Sequence, residues 1–291
     1  MPIIEVKHLK KYFGQTKAVS GVSFVVEQRE VFGFLGPNGA GKTTTIRCMM
    51  DFVRPTAGEI KIFGLDSIKD SVAIKKEIGF LPGGVRLYEN WNGWDHIEFL
   101  EKARGRQSIA RQLIKQLDFN PEAKFKTLSL GNRQKLGLVL ALMFQPKLLI
   151  LDEPTLGLDP LLQNMVYQIL LDFHQKGTTI FMSSHNLAEV EKICSRVAIV
   201  KEGKLITTEE IANLKKMRIH QVIVHFRSRF RKADFECEGA KVVEEFPDGL
   251  YLQFKGEMNL LLDRLRRYPI KDLEISQPSL EEIFLQFYGK E

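Results

Sequence analysis

At 291 residues, with 44% hydrophobic and 27% charged side chains, the chain has the make-up of an ordinary globular protein with ample core for one large domain or two smaller ones. No apolar run reaches the roughly 18 residues a membrane span needs, and residues 1–6 lack the apolar core of a signal peptide, so work at a membrane is expected to go through a partner. The net charge of +6 is uneven: residues 219–291 carry 11 Lys/Arg against 13 Asp/Glu, so the surplus lies earlier, with no like-charge block that selects nucleic acid, a membrane face or a nucleotide.

In chain order, residues 3–6 and 23–26 read as strands on either side of a turn around Gly14-Gln15-Thr16-Lys17. Two adjacent aromatics, Tyr12 and Phe13, fall in that turn; one of them either stacks on an adenine ring or packs the sheet edge. Residues 31–35 form a short apolar run, the pattern of a buried parallel strand. Directly after it comes Gly36-Pro37-Asn38-Gly39-Ala40-Gly41-Lys42-Thr43-Thr44, which matches the phosphate-binding pattern G-x-x-x-x-G-K-[ST] through Gly36, Gly41, Lys42 and Thr43. A helix is expected to open at once after this loop. Glycines let backbone N–H groups turn inward there, and the helix dipole adds partial positive charge where phosphates sit. Lys42 is placed to reach the β- and γ-phosphates of a nucleotide, and the Thr43 hydroxyl to ligate Mg²⁺.

A strand is expected over residues 59–64 and another over 78–81, the latter ended by Pro82-Gly83-Gly84. The spacing of residues 90–117 becomes helical, with a second segment over 109–117, so a helix-rich insertion over about 84–145 separates strands that otherwise alternate with helices. It contains Trp91 and Trp94, which serve either as binding anchors or as core of a small helical subdomain. Ser129 and Gly131 open the next long helix; a serine there is an ordinary N-cap or a second anion-receptive terminus.

Residues 148–153 run four aliphatics into Asp152 and Glu153. Buried strands of a parallel sheet deliver side chains at their C-terminal ends, where ligands collect. Asp152 would hold Mg²⁺, and Glu153 would orient or deprotonate the attacking water. Residues 179–185 repeat the arrangement with His185 at the end of a buried strand, placed to meet a γ-phosphate. The three cysteines, Cys48, Cys194 and Cys237, form no C-x-x-C pair, which fits a reducing compartment and argues against a zinc site. After about residue 217 the character shifts to alternating strands, a hairpin around Pro247-Asp248-Gly249, an amphipathic helix over 258–268, a strand at 273–275 and a last helix over 280–287. This reads as a small α+β domain with an interaction or regulatory role.

Together these ordered motifs resemble the ATP-binding subunit of an ABC transporter over residues 1–217. The loop from Gly36 to Thr43 is similar to the family's Walker A, and residues 148–153 resemble Walker B with its catalytic glutamate. Ser129-Leu130-Gly131-Asn132-Arg133-Gln134 stands where the family signature falls, with Leu130 and Asn132 in place of its Gly and Gln. Leu158-Asp159 matches the D-loop, His185 the switch histidine, and Phe13 the adenine-stacking aromatic, with Tyr12 the alternative. The resemblance implies a P-loop NTPase α/β fold with a mixed sheet core and helical subdomain (1–217), then an α+β accessory domain (218–291). It further implies ATP and Mg²⁺ as ligands and head-to-tail closure with a second copy or a paralogous ATPase subunit, whose Ser129 and Gly131 complete each site. The variant signature, with a C-terminus ending in Ser279-Leu280-Glu281-Glu282-Ile283-Phe284, resembles exporter subunits that join an ABC-2-type permease at the inner face of the cell membrane. No nucleic-acid partner is implied. One departure stands out: where the family carries its Q-loop glutamine after the strand ending at Leu81-Pro82, this chain has Gly83 and Gly84.

Overall fold

The computed structural model describes residues 2–216, 220–236, 239–256 and 258–276. The chain divides into two compact units, Met1–Ile211 and Ala212–Glu291.

The first unit opens with β1 (Pro2–Phe13), β2 (Thr16–Glu27), β3 (Val31–Leu35) and α1 (Lys42–Met49). Then come β4 (Ala57–Ile62), β5 (Leu65–Asp66), α2 (Ser71–Lys76) and β6 (Ile78–Leu81). Helices α3 (Gly93–Arg104), α4 (Ala110–Gln116) and α5 (Leu130–Leu142) make up the helix-rich insertion. The chain returns through β7 (Leu148–Asp152), α6 (Pro160–Gln175), β8 (Thr179–Ser184), α7 (Leu187–Ile193), β9 (Arg196–Lys201) and β10 (Lys204–Glu210). Helix α8 (Ile211–Lys216) follows, at the junction of the two units.

Two sheets build this unit. One is antiparallel in the order β2-β1-β4-β5, and the other is mixed, in the order β10-β9-β3-β8-β7-β6. In the mixed sheet β3 lies parallel to both β8 and β9, β7 parallel to β6 and β8, and only β10 runs antiparallel. Every residue of β3, β7 and β8 is buried, which explains why these strands read as continuous apolar runs rather than alternating ones. The two sheets share a core in which Phe24 of β2 sits 5.7 Å from Phe32 and Phe181 and 5.3 Å from Phe34, ring centre to ring centre.

Strands β1 and β2 extend well beyond residues 3–6 and 23–26, and the Tyr12-Phe13 pair ends β1 instead of lying in a turn, with Tyr12 opposite Lys17. The turn narrows to Gly14-Gln15. Irregularities in register between Val6 and Leu9, with His8 at φ 49°, break the two-residue alternation by which a strand is recognised. The helical stretch over 90–117 and its second segment over 109–117 fold as α3 and α4: Asn92 and Asp95 form a capping box at the start of α3, and Gly105, at φ 63°, closes it before α4.

In the second unit β11 (His220–Phe226), β12 (Ala240–Phe246), β13 (Gly249–Phe254) and β14 (Ile270–Ser276) form an antiparallel sheet ordered β12-β13-β11-β14. Val222, Val224 and Phe226 of β11 and Leu250, Leu252 and Phe254 of β13 pack with Leu261 and Leu265 of α9 (Met258–Leu265). This alternation in β11 is the one the sequence displays. The helix expected over 280–287, like Cys237, lies outside the described residues.

Candidate functional site

The site forms where β3, β7 and β8 end side by side. Leu35 pairs with Ser184, and Asp152 with Ser183, so the three C-terminal ends converge. The chain leaving β3 must turn tightly. At Gly36 a Cβ would lie 2.3 Å from the Val200 carbonyl oxygen, so no side chain fits. Gly41 combines φ 97° with the Ala18 carbonyl 2.4 Å from its Cβ position, and it caps α1 directly. The first residues of α1, Lys42, Thr43 and Thr44, line the cavity that the loop surrounds.

That cavity, of about 790 Å³, is lined by Pro37 to Thr44 of the loop, by Asp152, Glu153 and His185, and by Pro82, Gly83, Gly84 and Arg86. Lys42, only 6% exposed, donates to the Gly36 carbonyl at 2.6 Å and lies 3.2 Å from Glu153 Oε1. Glu153 Oε2 in turn meets His185 Nδ1 at 2.7 Å. Lysine, glutamate and histidine thus form one chain of contacts across the cavity. Glu153 has φ 53°, unusual for a residue with a Cβ, and its N–H donates to Ser183 Oγ at 3.1 Å. Asp152, buried beside it, accepts from the same Ser183 hydroxyl at 2.5 Å.

Gly83 lies against Asp152: a Cβ there would start 3.0 Å from Asp152 Oδ2. A glutamine at this position would touch the carboxylate, whereas glycine leaves that flank open to the cavity. Arg86, three residues on, lines the same cavity and supplies positive charge close to the altered loop.

Phe13, Ser129 and Gly131 are among the residues singled out in sequence that stand outside this lining. Phe13 is half exposed, at 51%, with Lys11 Nζ 4.8 Å over its ring. Ser129 caps α5, accepting from the Asn132 N–H at 3.3 Å, and is exposed, with Gly131 beside it. Leu130, in place of a signature glycine, is 60% exposed and packs on Gly157, whose Cβ position would be 2.5 Å from its Cδ2. Trp91 packs with Tyr88, His96 and Phe99, and Trp94 bonds Glu122 and carries Arg111 on its face, so both belong to the local packing of the insertion.

Sequence reasoning missed Gln134 and Ser183. The Gln134 amide donates to the carbonyls of Glu153 and Pro154 at 3.2 and 2.9 Å, tying α5 to the segment that bears Glu153. Their only signal was position, one inside the signature run and one two residues before His185.

A cavity of nucleotide size thus lies over a glycine loop and is faced by paired carboxylates and a histidine. Residues 19–156 match the family model described as ABC transporter. The bacitracin transport ATP-binding protein BcrA of Bacillus licheniformis is 30% identical over 99% of this chain and 97% of its own. The chain belongs to the ABC transporter ATP-binding family. The linearmycin resistance ATP-binding protein LnrL of Bacillus subtilis is 33% identical over 70% of this chain and 68% of its own. Among solved structures, an ATP-binding subunit of an ABC transporter superposes with a TM-score of 0.68 at 27% identity, covering 74% of this chain and 92% of that one. A dimeric ATP-binding cassette in a post-hydrolysis state superposes at 0.66 with 21% identity, a likeness of fold. As a member of this family the chain is an ATP-binding, ATP-hydrolysing subunit of an ABC transporter.

Proposed function

We propose that this subunit powers export through a separate ABC-2-type permease, closing head to tail with a second copy or a paralogous ATPase subunit and opening again as ATP is spent. The observation that carries the reading is the split in the site. Lys42, Asp152, Glu153 and His185 face one cavity, whereas Ser129, exposed, and Gly131, half-buried, sit at a helix N-terminus outside it. A serine and an amide terminus exposed in this way are free to meet the γ-phosphate of an ATP bound to another copy.

In this reading Phe13 offers its free ring face to adenine, and residues 36–44 cradle the phosphates through their amides. The donor set for a divalent cation is hard oxygen, from the Thr43 hydroxyl and the Asp152 carboxylate that Ser183 orients, and this suits Mg²⁺. Bound there, Mg²⁺ would neutralise charge on the β- and γ-phosphates. Glu153 takes the proton of the attacking water, and His185 holds Glu153 in place through the 2.7 Å contact. Lys42 leaves its loop carbonyls to meet the transferred phosphoryl group, so its charge arrives where negative charge develops.

The membrane partner is supported by a second cleft of about 310 Å³ beside the insertion. Its floor includes Phe80, Leu100, Leu140 and Phe144, its cations are Lys75, Arg86 and Arg104, and no carboxylate stands among its described lining residues. The Arg104 guanidinium is fixed over the Phe144 ring at 4.7 Å while donating to the Lys76 carbonyl. Arg86 lines this cleft and the nucleotide cavity alike. Export accords with relatives named for bacitracin transport and linearmycin resistance. No helix among the described residues is long and apolar enough to cross a membrane, which accords with attachment to the inner face through the permease.

Co-expression with a membrane protein of about six spans encoded beside it tests this. Both chains are expected in one detergent-extracted complex, and Arg104→Glu is expected to lower recovery at least tenfold, on the order of a lost interfacial charge contact. Undiminished recovery with this variant, or no complex at all, contradicts the docking assignment.

A further inference from the structure

The geometry points to Glu189 as a positioning residue for hydrolysis, a buried carboxylate that locks the segment after Glu153 to the strand end that carries His185. Glu189 lies in α7 and is only 8% exposed. Its Oε1 accepts from the Thr155 hydroxyl, and its Oε2 accepts from the Ser184 hydroxyl at 2.7 Å. Thr155 is two residues beyond Glu153, and Ser184 immediately precedes His185. Tyr167 of α6, the helix entered through Asp159, is buried close to both Thr155 and Glu189. Burial, helped by the adjacent carboxylate, pushes this phenol well above its ordinary range, so it stays protonated and able to donate.

The arrangement has a mechanical consequence. Thr155, Ser184 and Tyr167 are all buried, and charge-assisted hydrogen bonds in such surroundings are short, strong and directional. Glu153 and His185 touch each other at 2.7 Å on the cavity side, while Glu189 holds the neighbours of both from behind. The catalytic pair is therefore fixed twice, once by direct contact and once through this carboxylate. Ser184 Oγ also accepts the Asn186 N–H at 2.9 Å, so the backbone on both sides of His185 is bound into the cluster. Loosening it would let Glu153 and His185 drift apart while the glycine loop and Lys42, which Glu189 does not touch, stay in place. The loss should appear in turnover and spare ATP binding.

This inference rests on the catalytic pairing of Glu153 with His185, and the experiment separates the two. Glu189→Gln keeps the shape but offers one accepting oxygen in place of two. Its kcat is expected to fall about 10- to 100-fold, as for a catalytic group displaced by roughly an ångström, with KM for ATP changed less than threefold. Thr155→Val, which removes one clasp and leaves the carboxylate, should show the same pattern more mildly. The decisive readout is a double-mutant cycle with Glu153→Gln. If Glu189 acts by placing Glu153, directly and through His185, the double variant turns over no more slowly than Glu153→Gln alone, within about threefold. Losses that multiply, an unchanged kcat in Glu189→Gln, or a rise in KM matching the fall in kcat would each overturn the proposal. If His185→Ala itself leaves turnover intact, the catalytic pairing fails and the present inference with it, whereas a slow His185→Ala beside an unaffected Glu189→Gln overturns only the latter.

Discussion

Replacing Glu153 with glutamine is expected to lower steady-state ATP turnover by a factor of about 10²–10⁴, the range a general base contributes, while ATP still binds. The geometry explains the split. Glu153 touches Lys42 at 3.2 Å and His185 at 2.7 Å, so glutamine keeps the size and one polar contact to each side but cannot accept a proton from water. The ammonium of Lys42 keeps its 2.6 Å bond to Gly36, and the loop is undisturbed. Turnover is measured by phosphate release and binding by nucleotide titration. The same variant is expected to accumulate, with Mg²⁺ and ATP, as a species of twice the 33.4 kDa chain mass by light scattering. Nucleotide that is bound but not cleaved holds the closed state.

Gly36→Ala is expected to reduce ATP affinity at least a hundredfold and to cost about 1–3 kcal/mol of stability, the usual penalty of overpacking a tight contact. The added methyl would sit 2.3 Å from the Val200 carbonyl oxygen and 2.9 Å from its side chain, on a strand that pairs directly with β3. Either the loop or β9 must move, and the loop is the softer of the two. Gly39→Ala is the informative contrast. Gly39 has φ 82° but nothing within 4 Å of its Cβ position, so only backbone strain of about 1–2 kcal/mol is expected. Nucleotide titration and thermal melting of both variants separate steric displacement of the cradle from conformational strain.

The strand–loop–helix at residues 31–49 was legible because β3 is buried along its whole length and two of its loop glycines, Gly36 and Gly41, occupy places where nothing larger fits. Asp152, Glu153 and His185 were legible for a related reason, since strand ends in a parallel sheet converge. The full extent of β1 and β2 was not, because bulges near His8 break the alternation that marks a strand. Glu189 was hidden differently. In Leu187-Ala188-Glu189-Val190-Glu191-Lys192 it reads as one more charge on a short amphipathic helix, and only the folded chain places it over Thr155 and Ser184. Leu130 shows the same limit. The sequence marks it as a departure from the signature, but its packing on Gly157 depends on two segments far apart in the chain. Gly83 is intermediate: the missing glutamine was visible, and the structure adds that the position abuts Asp152.

The central claim, that one chain holds only part of an ATP site, is tested most directly by mixing two inactive variants. Lys42→Ala removes the phosphate-loop cation, and Ser129→Arg blocks the signature terminus. Each is expected to be inactive alone. In a head-to-tail pair of one with the other, one site loses both features and the second keeps both. Because about half of randomly formed dimers are mixed and each of these keeps one of two sites, an equimolar mixture is predicted to recover roughly a quarter of wild-type turnover. A mixture as inactive as its parents, or Ser129→Arg hydrolysing ATP at the wild-type rate on its own, would contradict the account.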